Sequence, residues 1–382
     1  MECKNLINLL DEFNGQNVLA VLNLKPKKIV FVYEDDSEEF EEFEIIKSYL
    51  KDRLPDAEII GVPIKEIKTE AIENILSSYN GEDTVINLSG GSKLMSLITY
   101  QAAEKHKMTS ILVDVDHQSI LNLSNKEVRK LNIEFNDLEV EDFIQSTGGE
   151  IISHSTDVFN SAEAKEFVDY IVDNYDFWDK LKPILIDNNI IKQDVSLIDT
   201  VVIKLGNIHE ADRIEFKKFL AKIKELNSIH VKYESEYKLV IQFNNPQMKP
   251  LFFKVGTWLE VLVYEIVKEI KEVDDVKSGV QFLWDNEVRY VKNEIDVLAS
   301  VNSQLVYISC KDTAKYDEDT LNELDVYSEQ LGGNDVKKVL VTTKEPYKRS
   351  TTSRAEEMGI DIIIFDGNVE ELKNKLRNII VS

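Results

Sequence analysis

The sequence predicts an α/β protein built from more than one domain, and three observations support this prediction. The chain has 382 residues, whereas a single domain usually holds roughly 100 to 200. Over residues 1–125, short apolar runs alternate with helical patterns, which is typical of βα units and a parallel sheet. After residue 250, a helix and three strand-like runs are followed by a second alternating series.

The first segment has the layout of a doubly wound, Rossmann-like sheet. Helical patterns fill 17–24, 38–54 and 65–78 and end before Pro26, Pro55 and Gly81, residue types that stop helices. In a sheet of order 3-2-1-4-5, the first and fourth strands end side by side at the point where ligands bind. The predicted strands are 5–10, 28–33, 58–62, 84–88 and 110–115, with an edge hairpin through 120–123.

The rest of the chain is predicted to form a connector and a second α/β domain. Ser161 is a predicted N-cap for a helix through Trp178, and a hairpin follows at 230–243, which favours a small winged-helix-like connector. The last segment begins with a helix at 258–270, and its later helices are predicted to end at Gly332-Gly333 and Gly359. The predicted domains are 1–137, 138–250 and 251–382.

Composition argues against several classes of protein. No apolar run approaches the ~18 to 20 residues that cross a bilayer, and the first residues lack the order of a signal peptide. We therefore expect a cytoplasmic protein with no membrane partner. Two cysteines and five scattered histidines argue against a disulfide framework or a zinc site, so any metal needs oxygen ligands. A net charge of −25 means that nucleic acid must meet a locally positive or metal-filled cleft.

A loop with two glycines follows the fourth predicted strand, in the sequence NLSGGSKLM at 87–95. Gly90 and Gly91 let backbone N–H groups approach an anion, and Lys93 with the helix N-terminus supplies positive potential. The spacing matches neither a Walker A loop nor GxGxxG. A plain strand-to-helix turn with a surface lysine is the alternative. The polar loop 11–17 after the first strand is expected to face the same crevice.

Two adjacent strands carry a second polar cluster. Glu294 and Asp296 are two residues apart, so a strand places both side chains on one face. After a short turn at 302–303, the next strand places Ser309 and Lys311 together in the same way. Oxygen atoms in this cluster suit a divalent cation, and a lysine can steady a hydroxide or a phosphate. Two amphipathic strands with solvated outer faces are the alternative.

The glycine loop resembles that of the CRISPR-associated Rossmann fold, or CARF, domain. NLSGGSKLM after the fourth strand, with LKPKKIVFVY forming the second, is similar to that family. The resemblance implies a homodimer that binds a cyclic oligoadenylate across its two-fold axis. It implies ligand-binding roles for Asn87, Ser89, Gly90, Gly91, Ser92 and Lys93, and also for Asp11, Asn14 and Gln16.

The second cluster resembles the PD-(D/E)xK motif of restriction-endonuclease-like nucleases. The resemblance makes Asp296 the first metal ligand and Lys311 the lysine of the motif. Ser309 stands where the family usually has Asp or Glu, so one anionic metal contact is missing. Glu294, or Glu260 from the preceding helix, can supply a substitute carboxylate. The implied catalytic residues are Asp296, Lys311, Glu294, Ser309 and Glu260, of which Asp296, Glu294 and Glu260 are the implied metal ligands.

The combination of both motifs resembles the CARF-fused nucleases of type III CRISPR defence. In that family, cyclic tetra-adenylate activates a nuclease that uses manganese or magnesium and cuts single-stranded DNA, RNA or supercoiled DNA. The resemblance implies the same activator, metal and substrates for this chain. The alternative is a non-catalytic cyclic-oligonucleotide sensor or ligand-gated regulator with a degenerate nuclease domain, which Ser309 favours.

Overall fold

The computed structural model describes residues 3–11, 13–124, 128–193, 198–284 and 292–381. These residues form three β-sheets of seven, four and six strands, with helices packed between and around them. The predicted α/β organisation is confirmed. Among the helices in these ranges, none is both long enough and apolar enough to cross a bilayer.

The N-terminal sheet has seven strands and four associated helices. Its strands are β1 (Asn5–Leu9), β2 (Lys28–Glu34), β3 (Glu58–Ile64), β4 (Thr84–Asn87), β5 (Thr109–Asp114), β6 (Ser119–Asn122) and β7 (Arg129–Lys130). Its helices are α1 (Gly15–Leu24), α2 (Ser37–Arg53), α3 (Thr69–Leu76) and α4 (Lys93–Lys105). The order is β3-β2-β1-β4-β5-β6-β7, parallel as far as β5 and antiparallel beyond it. The predicted order 3-2-1-4-5 is therefore confirmed.

Helix α3 begins at Thr69, later than the predicted start at residue 65. Strand β3 stays paired with β2 up to the pair of Glu34 with Ile64, so the chain needs residues 65–68 to leave the sheet. The helix that follows buries Ile72 and Leu76, one turn apart on the same face. The pairing of the strand, not the helical pattern, sets where this helix starts.

The middle of the chain contributes short helices and strands. They are α5 (Val140–Ser146), β8 (Glu150–Ser153), α6 (Thr156–Phe159), α7 (Ala162–Asp173), α8 (Tyr175–Leu185), β9 (Ile191–Gln193), β10 (Thr200–Ile203), α9 (Glu210–Glu225), β11 (Ile229–Glu234) and β12 (Leu239–Phe243). The predicted hairpin at 230–243 is present as β11 and β12. Strands β10 and β9 extend it to an antiparallel sheet of order β11-β12-β10-β9.

The helix predicted to run from Ser161 through Trp178 is instead two helices. Ser161 is the predicted N-cap, and its hydroxyl accepts the backbone N–H of Ala164 at 3.2 Å. Asn174 then leaves the helical conformation, with φ −125° and ψ 41°, and its carbonyl accepts the N–H of Trp178 at 3.0 Å as α8 begins. Asparagine is a favoured residue at helix starts, so the break has a local cause.

The C-terminal part is a six-stranded sheet flanked by helices. Its elements are α10 (Lys249–Phe253), α11 (Thr257–Lys268), β13 (Asp275–Leu283), β14 (Asn293–Val301), β15 (Gln304–Lys311), α12 (Glu318–Gly332), β16 (Lys337–Thr342), α13 (Arg349–Glu357), β17 (Ile360–Ile364) and α14 (Val369–Val381). The strand order is β17-β16-β15-β14-β13-β8. Strand β8, which lies within the predicted connector, is thus an edge strand of this sheet, antiparallel to β13.

The connector and the C-terminal sheet share one hydrophobic core. The rings of Trp178 on α8 and Trp258 on α11 lie 6.5 Å apart, and Phe167 on α7 packs against Trp178 at 6.2 Å. A second core lies on the other face of the same sheet and contains Phe31 of the N-terminal sheet, Phe143 of α5 and Ile295 of β14. Helix α11 therefore packs both against the C-terminal sheet and against residues from the middle of the chain.

Candidate functional site

Three buried asparagines lie beneath the glycine loop of the N-terminal domain. Asn87, at the end of β4, donates to Oδ1 of Asn8 at 3.0 Å and to Oδ1 of Asn17 at 2.9 Å. Oδ1 of Asn87 accepts the backbone N–H and the hydroxyl of Ser89 at 3.1 and 2.6 Å. All three asparagines have no exposed surface. Because buried amides need hydrogen-bond partners, this network fixes how the ends of β1 and β4 meet the first turn of α1.

The glycine loop itself packs tightly against β1. A Cβ atom on Gly90 would collide with the carbonyl oxygen of Leu9, and Gly91 has a φ of +73°, which favours glycine. Ser92 is the N-cap of α4, and its hydroxyl accepts the N–H of Met95 at 3.2 Å. Lys93 follows in the first helical turn and is exposed. The loop thus presents a helix N-terminus and a lysine to solvent.

The nine predicted ligand residues differ in exposure. Asp11, Ser92 and Lys93 are exposed, Gln16, Ser89 and Gly91 are half-buried, and Asn14, Asn87 and Gly90 are buried. Asn14 donates to the carbonyl of Asp11 at 2.5 Å and accepts from Asn17 at 2.8 Å, so it braces the loop from within. The buried members position the two loops, and the exposed members are accessible to a ligand.

A cavity of about 580 Å³ opens beside these loops, between the N-terminal domain and the C-terminal sheet. The ring of Phe13 packs over Gly333, where a Cβ atom would lie 2.9 Å from the ring. Sequence reasoning missed the C-terminal side of the cavity, because no local pattern reports which turns meet across a domain boundary. The cavity is lined by Asp11 and residues 13–16, by Ser89, by residues of 112–116 and by residues of 303–305 and 331–336.

The second cluster forms at the far end of the β14–β15 hairpin, as its alternating pattern predicts. Oδ2 of Asp296 accepts the hydroxyl of Ser309 at 3.2 Å and the backbone N–H of Cys310 at 2.7 Å. Lys311 Nζ lies 3.7 Å from the same oxygen. The Cys310 thiol is buried on the other face, and burial raises its pKa well above the ordinary value. Asp296, Ser309 and Lys311 are therefore brought together, and Cys310 belongs to the core.

Glu260 completes this cluster from the first turn of α11. Its carboxyl is buried, with 6% of the residue exposed. Burial, reinforced by the negative charge of Asp296, raises the pKa of Glu260 to about 8. A buried carboxyl whose pKa is raised beside a second carboxylate is typical of functional sites. This burial is unlike that of a solvated surface residue on a helix, and it makes Glu260 a candidate for the second acid of the site.

Glu294 lies at the rim of the cluster and not at its centre. Its side chain is 44% exposed, and Oε1 lies 3.4 Å from Nζ of Lys254. Burial acts to lower the pKa of Lys254, but the carboxylates of Glu260, Glu294 and Asp296 together raise it above its ordinary value. Lys254 was not predicted from the sequence, because it precedes α11 without any motif around it.

The residues present suit one hard divalent cation. Within the described ranges, no three His, Cys, Asp or Glu side chains are already arranged as a metal site. Magnesium, however, commonly uses only one or two carboxylates and completes its shell with water and substrate phosphate. The carboxyls of Asp296 and Glu260 would supply those two groups, and the Ser309 hydroxyl is hydrogen-bonded to Asp296. A cation there would lower the raised pKa of Glu260.

These features define a class of protein: a Rossmann-like domain with a polar ligand crevice, joined to a restriction-endonuclease-like domain with a carboxylate and lysine cluster. Family models agree with both halves. One described as the Card1 CARF domain matches residues 6–143, and one described as a Card1-like endonuclease domain matches residues 249–382. The chain therefore joins a CARF domain to a Card1-like endonuclease domain, and the predicted resemblance to CARF-fused nucleases is confirmed.

Solved structures share this fold along the whole chain. Protein VC1899 from Vibrio cholerae is 20% identical, with a TM-score of 0.75 over 99% of this chain and 98% of its own. Can2 from Sulfobacillus thermosulfidooxidans, solved with cyclic tetra-adenylate, is 18% identical, with a TM-score of 0.70 over 100% and 98%. A type III CRISPR defence DNA nuclease activated by cyclic oligoadenylate is 14% identical, with a TM-score of 0.56 over 92% and 48%. A search of curated proteins found no match.

Proposed function

We propose that this chain is a cyclic oligoadenylate-activated, divalent-metal-dependent endonuclease of type III CRISPR defence. One observation carries the nuclease part: a buried Glu260 with a raised pKa lies beside Asp296 and Lys311 in a domain of the Card1-like endonuclease family. Glu260 supplies the anionic contact that Ser309 lacks. The second acid is on helix α11 and not on strand β15, and the site still has two carboxyls and one lysine.

Each residue has a distinct role in phosphodiester hydrolysis under this proposal. A divalent cation, when bound, polarises the phosphate and lowers the pKa of its bound water. Asp296 and Glu260 hold that cation, and the hydroxyl of Ser309 orients the Asp296 carboxylate through the bond at 3.2 Å. Lys311 keeps its ammonium group beside the attacked phosphate and stabilises the negative charge that develops there.

The activator is proposed to be cyclic tetra-adenylate, held by the exposed residues of the glycine loop. Ser92 and Lys93 lie at the N-terminus of α4, a favourable place for phosphates. The acids around the cavity instead suit base amino groups and ribose hydroxyls. Can2, whose fold matches this chain, was solved with this ligand, and that match supports the proposal.

A homodimer is proposed to complete the activator site. Leu94 and Leu97, on the outer face of α4 beside Lys93, are 56% and 68% exposed. Two apolar side chains next to the ligand loop favour an isologous contact between two copies of α4, because a two-fold axis there would bring both glycine loops to one ring-shaped ligand.

The β14–β15 hairpin is proposed to connect the two sites. Its turn, with Ser303 and Gln304, lines the cavity beside the ligand loops, and its other end carries Asp296 and Lys311. A ligand that fits the cavity better in one position of this turn than in another shifts the population of arrangements at the nuclease end.

Cleavage assays on the full chain test the proposal. Single-stranded DNA, single-stranded RNA and supercoiled plasmid would be incubated with Mn²⁺ or Mg²⁺, with and without cyclic tetra-adenylate. We expect cleavage that requires both ligand and metal and is lost in Lys93→Ala and Asp296→Ala. Glu260→Gln is expected to remove activity, whereas Ser309→Ala retains at least about a tenth of it, since losing one hydrogen bond costs about 1 kcal/mol.

A non-catalytic sensor is the second candidate, and Ser309 favours it because the motif usually has an acid there. Tight binding of cyclic tetra-adenylate without cleavage of any of the three substrates would support the sensor and reject the nuclease. Equal activity of wild type and Glu260→Gln would reject the role of Glu260 as a metal ligand, without rejecting the proposed nuclease function.

A further inference from the structure

Asp312, the residue after Lys311, is a buried charge with an unusual set of partners. Its side chain is 1% exposed. Oδ2 accepts the indole N–H of Trp258 at 2.7 Å and that of Trp178 at 3.3 Å. Oδ1 accepts the hydroxyl of Thr343 at 2.7 Å and the ammonium group of Lys182. Four donors around one carboxylate satisfy a charge that would otherwise be costly to bury.

These contacts join the elements that carry the nuclease residues. Trp258 lies on α11 two residues before Glu260, and Asp312 follows Lys311 at the end of β15. Trp178 and Lys182 belong to α8 of the connector. The hydrogen bond from Trp258 to Asp312 therefore holds the first turn of α11 against the end of β15. Helix α8 contributes two further donors to the same carboxylate, from Trp178 and Lys182.

We propose that Asp312 is a positioning residue of the nuclease site: through Trp258 it fixes Glu260 relative to Asp296 and Lys311, so that the carboxyls can share one divalent cation. The inference rests on the proposed nuclease function. Asp312 does not act by hydrogen bonding directly to the metal ligands, because its two carboxylate oxygens accept from the four donors described above. Its effect is geometric, and metal affinity reports it directly.

The two tryptophans provide a matched pair of variants. Trp258→Phe and Trp178→Phe each remove one indole donor from the same oxygen of Asp312, but only Trp258 lies on the helix turn that carries Glu260. Mn²⁺ binding to the ligand-free full chain would be measured by isothermal titration calorimetry. We expect Trp258→Phe to weaken Mn²⁺ binding about tenfold or more and Trp178→Phe to change it less than about threefold, in the range that second-sphere changes give.

A second pair separates positioning from burial of an ion pair. In a Lys182→Met background, Asp312→Asn keeps an oxygen for the Trp258 indole, whereas Asp312→Leu removes it, and neither leaves an unpaired ammonium group. We expect Asp312→Asn to retain Mn²⁺ affinity within about threefold of wild type and Asp312→Leu to lose about tenfold. Thermal unfolding of both double variants checks that each is folded.

Equal Mn²⁺ affinities within each pair, or no Mn²⁺ binding by the wild type, would overturn the proposal. Nucleic-acid cleavage by the same proteins is measured separately. A wild type that binds Mn²⁺ but cleaves nothing rejects the proposed function, while the affinity differences still decide the role of Asp312.

Discussion

Glu260 links the chemistry of the site to the stability of the protein. Its buried carboxyl has a pKa of about 8, whereas in an unfolded chain a glutamate titrates near about 4.3. Between these values the folded state holds a proton that the unfolded state has released. The free energy of unfolding therefore falls as pH rises through this window, by up to about 1.4 kcal/mol per pH unit from this group.

Glu260→Gln is expected to remove that dependence. The metal-free wild type should lose stability relative to the variant as pH rises from 5.5 to 7.5, because only the wild type must bury a carboxylate or keep its proton. Denaturant unfolding in EDTA at several pH values measures the difference, and other titrating groups cancel in the comparison. Parallel curves for the two proteins would show that Glu260 is not held in its protonated form. Mn²⁺ should stabilise the wild type more at pH 7.5 than at 5.5.

At the residue scale, the sequence predicted the strand side of the nuclease site and left the helix side open. The two-residue period of a strand was enough to place Asp296, Ser309 and Lys311 together. It could not rank Glu260 against Glu294, because the choice depends on how α11 packs over the sheet. The Asp312 contacts could not be predicted either, since two of their donors come from residues more than 100 positions away.

At the scale of elements, the glycine loop depends on a backbone conformation that other residues rarely adopt. Gly91 has a φ of +73°, and a Cβ atom there would lie 2.8 Å from Cβ of Leu9. Gly359 has a similar φ of +64° but no atom within 4 Å of an added Cβ. Substituting alanine at Gly359 would add only backbone strain, whereas at Gly91 it would add backbone strain and a steric clash with Leu9.

Gly91→Ala is expected to move the loop away from β1 and weaken binding of cyclic tetra-adenylate by tenfold or more. Gly359→Ala should cost only the strain of about 1 to 2 kcal/mol and leave ligand binding unchanged. Ligand titration and thermal unfolding of both variants provide the comparison. Unchanged ligand affinity in Gly91→Ala would mean that the loop does not contact the activator.

The elements that the sequence predicted well are those with strong local signals. Prolines ended α1 and α2 at about their predicted positions, and the parallel strands formed where the apolar runs are. The start of α3, the break at Asn174 and the pairing of β8 were not predicted. The start of α3 and the position of β8 depend on pairing with strands that are distant in sequence. The break at Asn174 depends on a cap residue inside a helical pattern. The hydrophobic period of the sequence indicates neither of these features.

At the scale of the whole molecule, the proposed dimer rests on α4. Leu97→Glu places a charge on the exposed apolar face beside the ligand loop, and we expect it to shift the protein to a monomer and weaken ligand binding. Ile214→Glu, at a side chain that is 65% exposed on α9, is the control and should leave the oligomeric state unchanged. Light scattering coupled to size-exclusion chromatography measures both. A Leu97→Glu variant that remains as associated as the wild type would place the interface elsewhere.

The nuclease fold is not contained in residues 249–382 alone. A fragment of those residues lacks β8, the edge partner of β13, and lacks Trp178 and Lys182, which satisfy Asp312. We expect this fragment to lose cooperative unfolding and to expose apolar surface. A fragment of 138–382 contains β8, Trp178 and Lys182, so we expect it to unfold cooperatively. Circular dichroism melts and dye binding compare the two. A sharp, wild-type-like melt of 249–382 would show that the middle of the chain is dispensable for this fold.

Strand β8 also orders events in time, because Ser153 and its partner Gln281 are 128 positions apart. At a synthesis rate of about 5 to 20 residues per second, β13 is synthesised roughly 6 to 26 s after β8, so β8 has no partner strand during that time. Asp296, Lys311 and Asp312 emerge later still. A chain released before β14 and β15 are made would carry the sensor loops but not Asp296 or Lys311, so it would lack the residues of the proposed nuclease site.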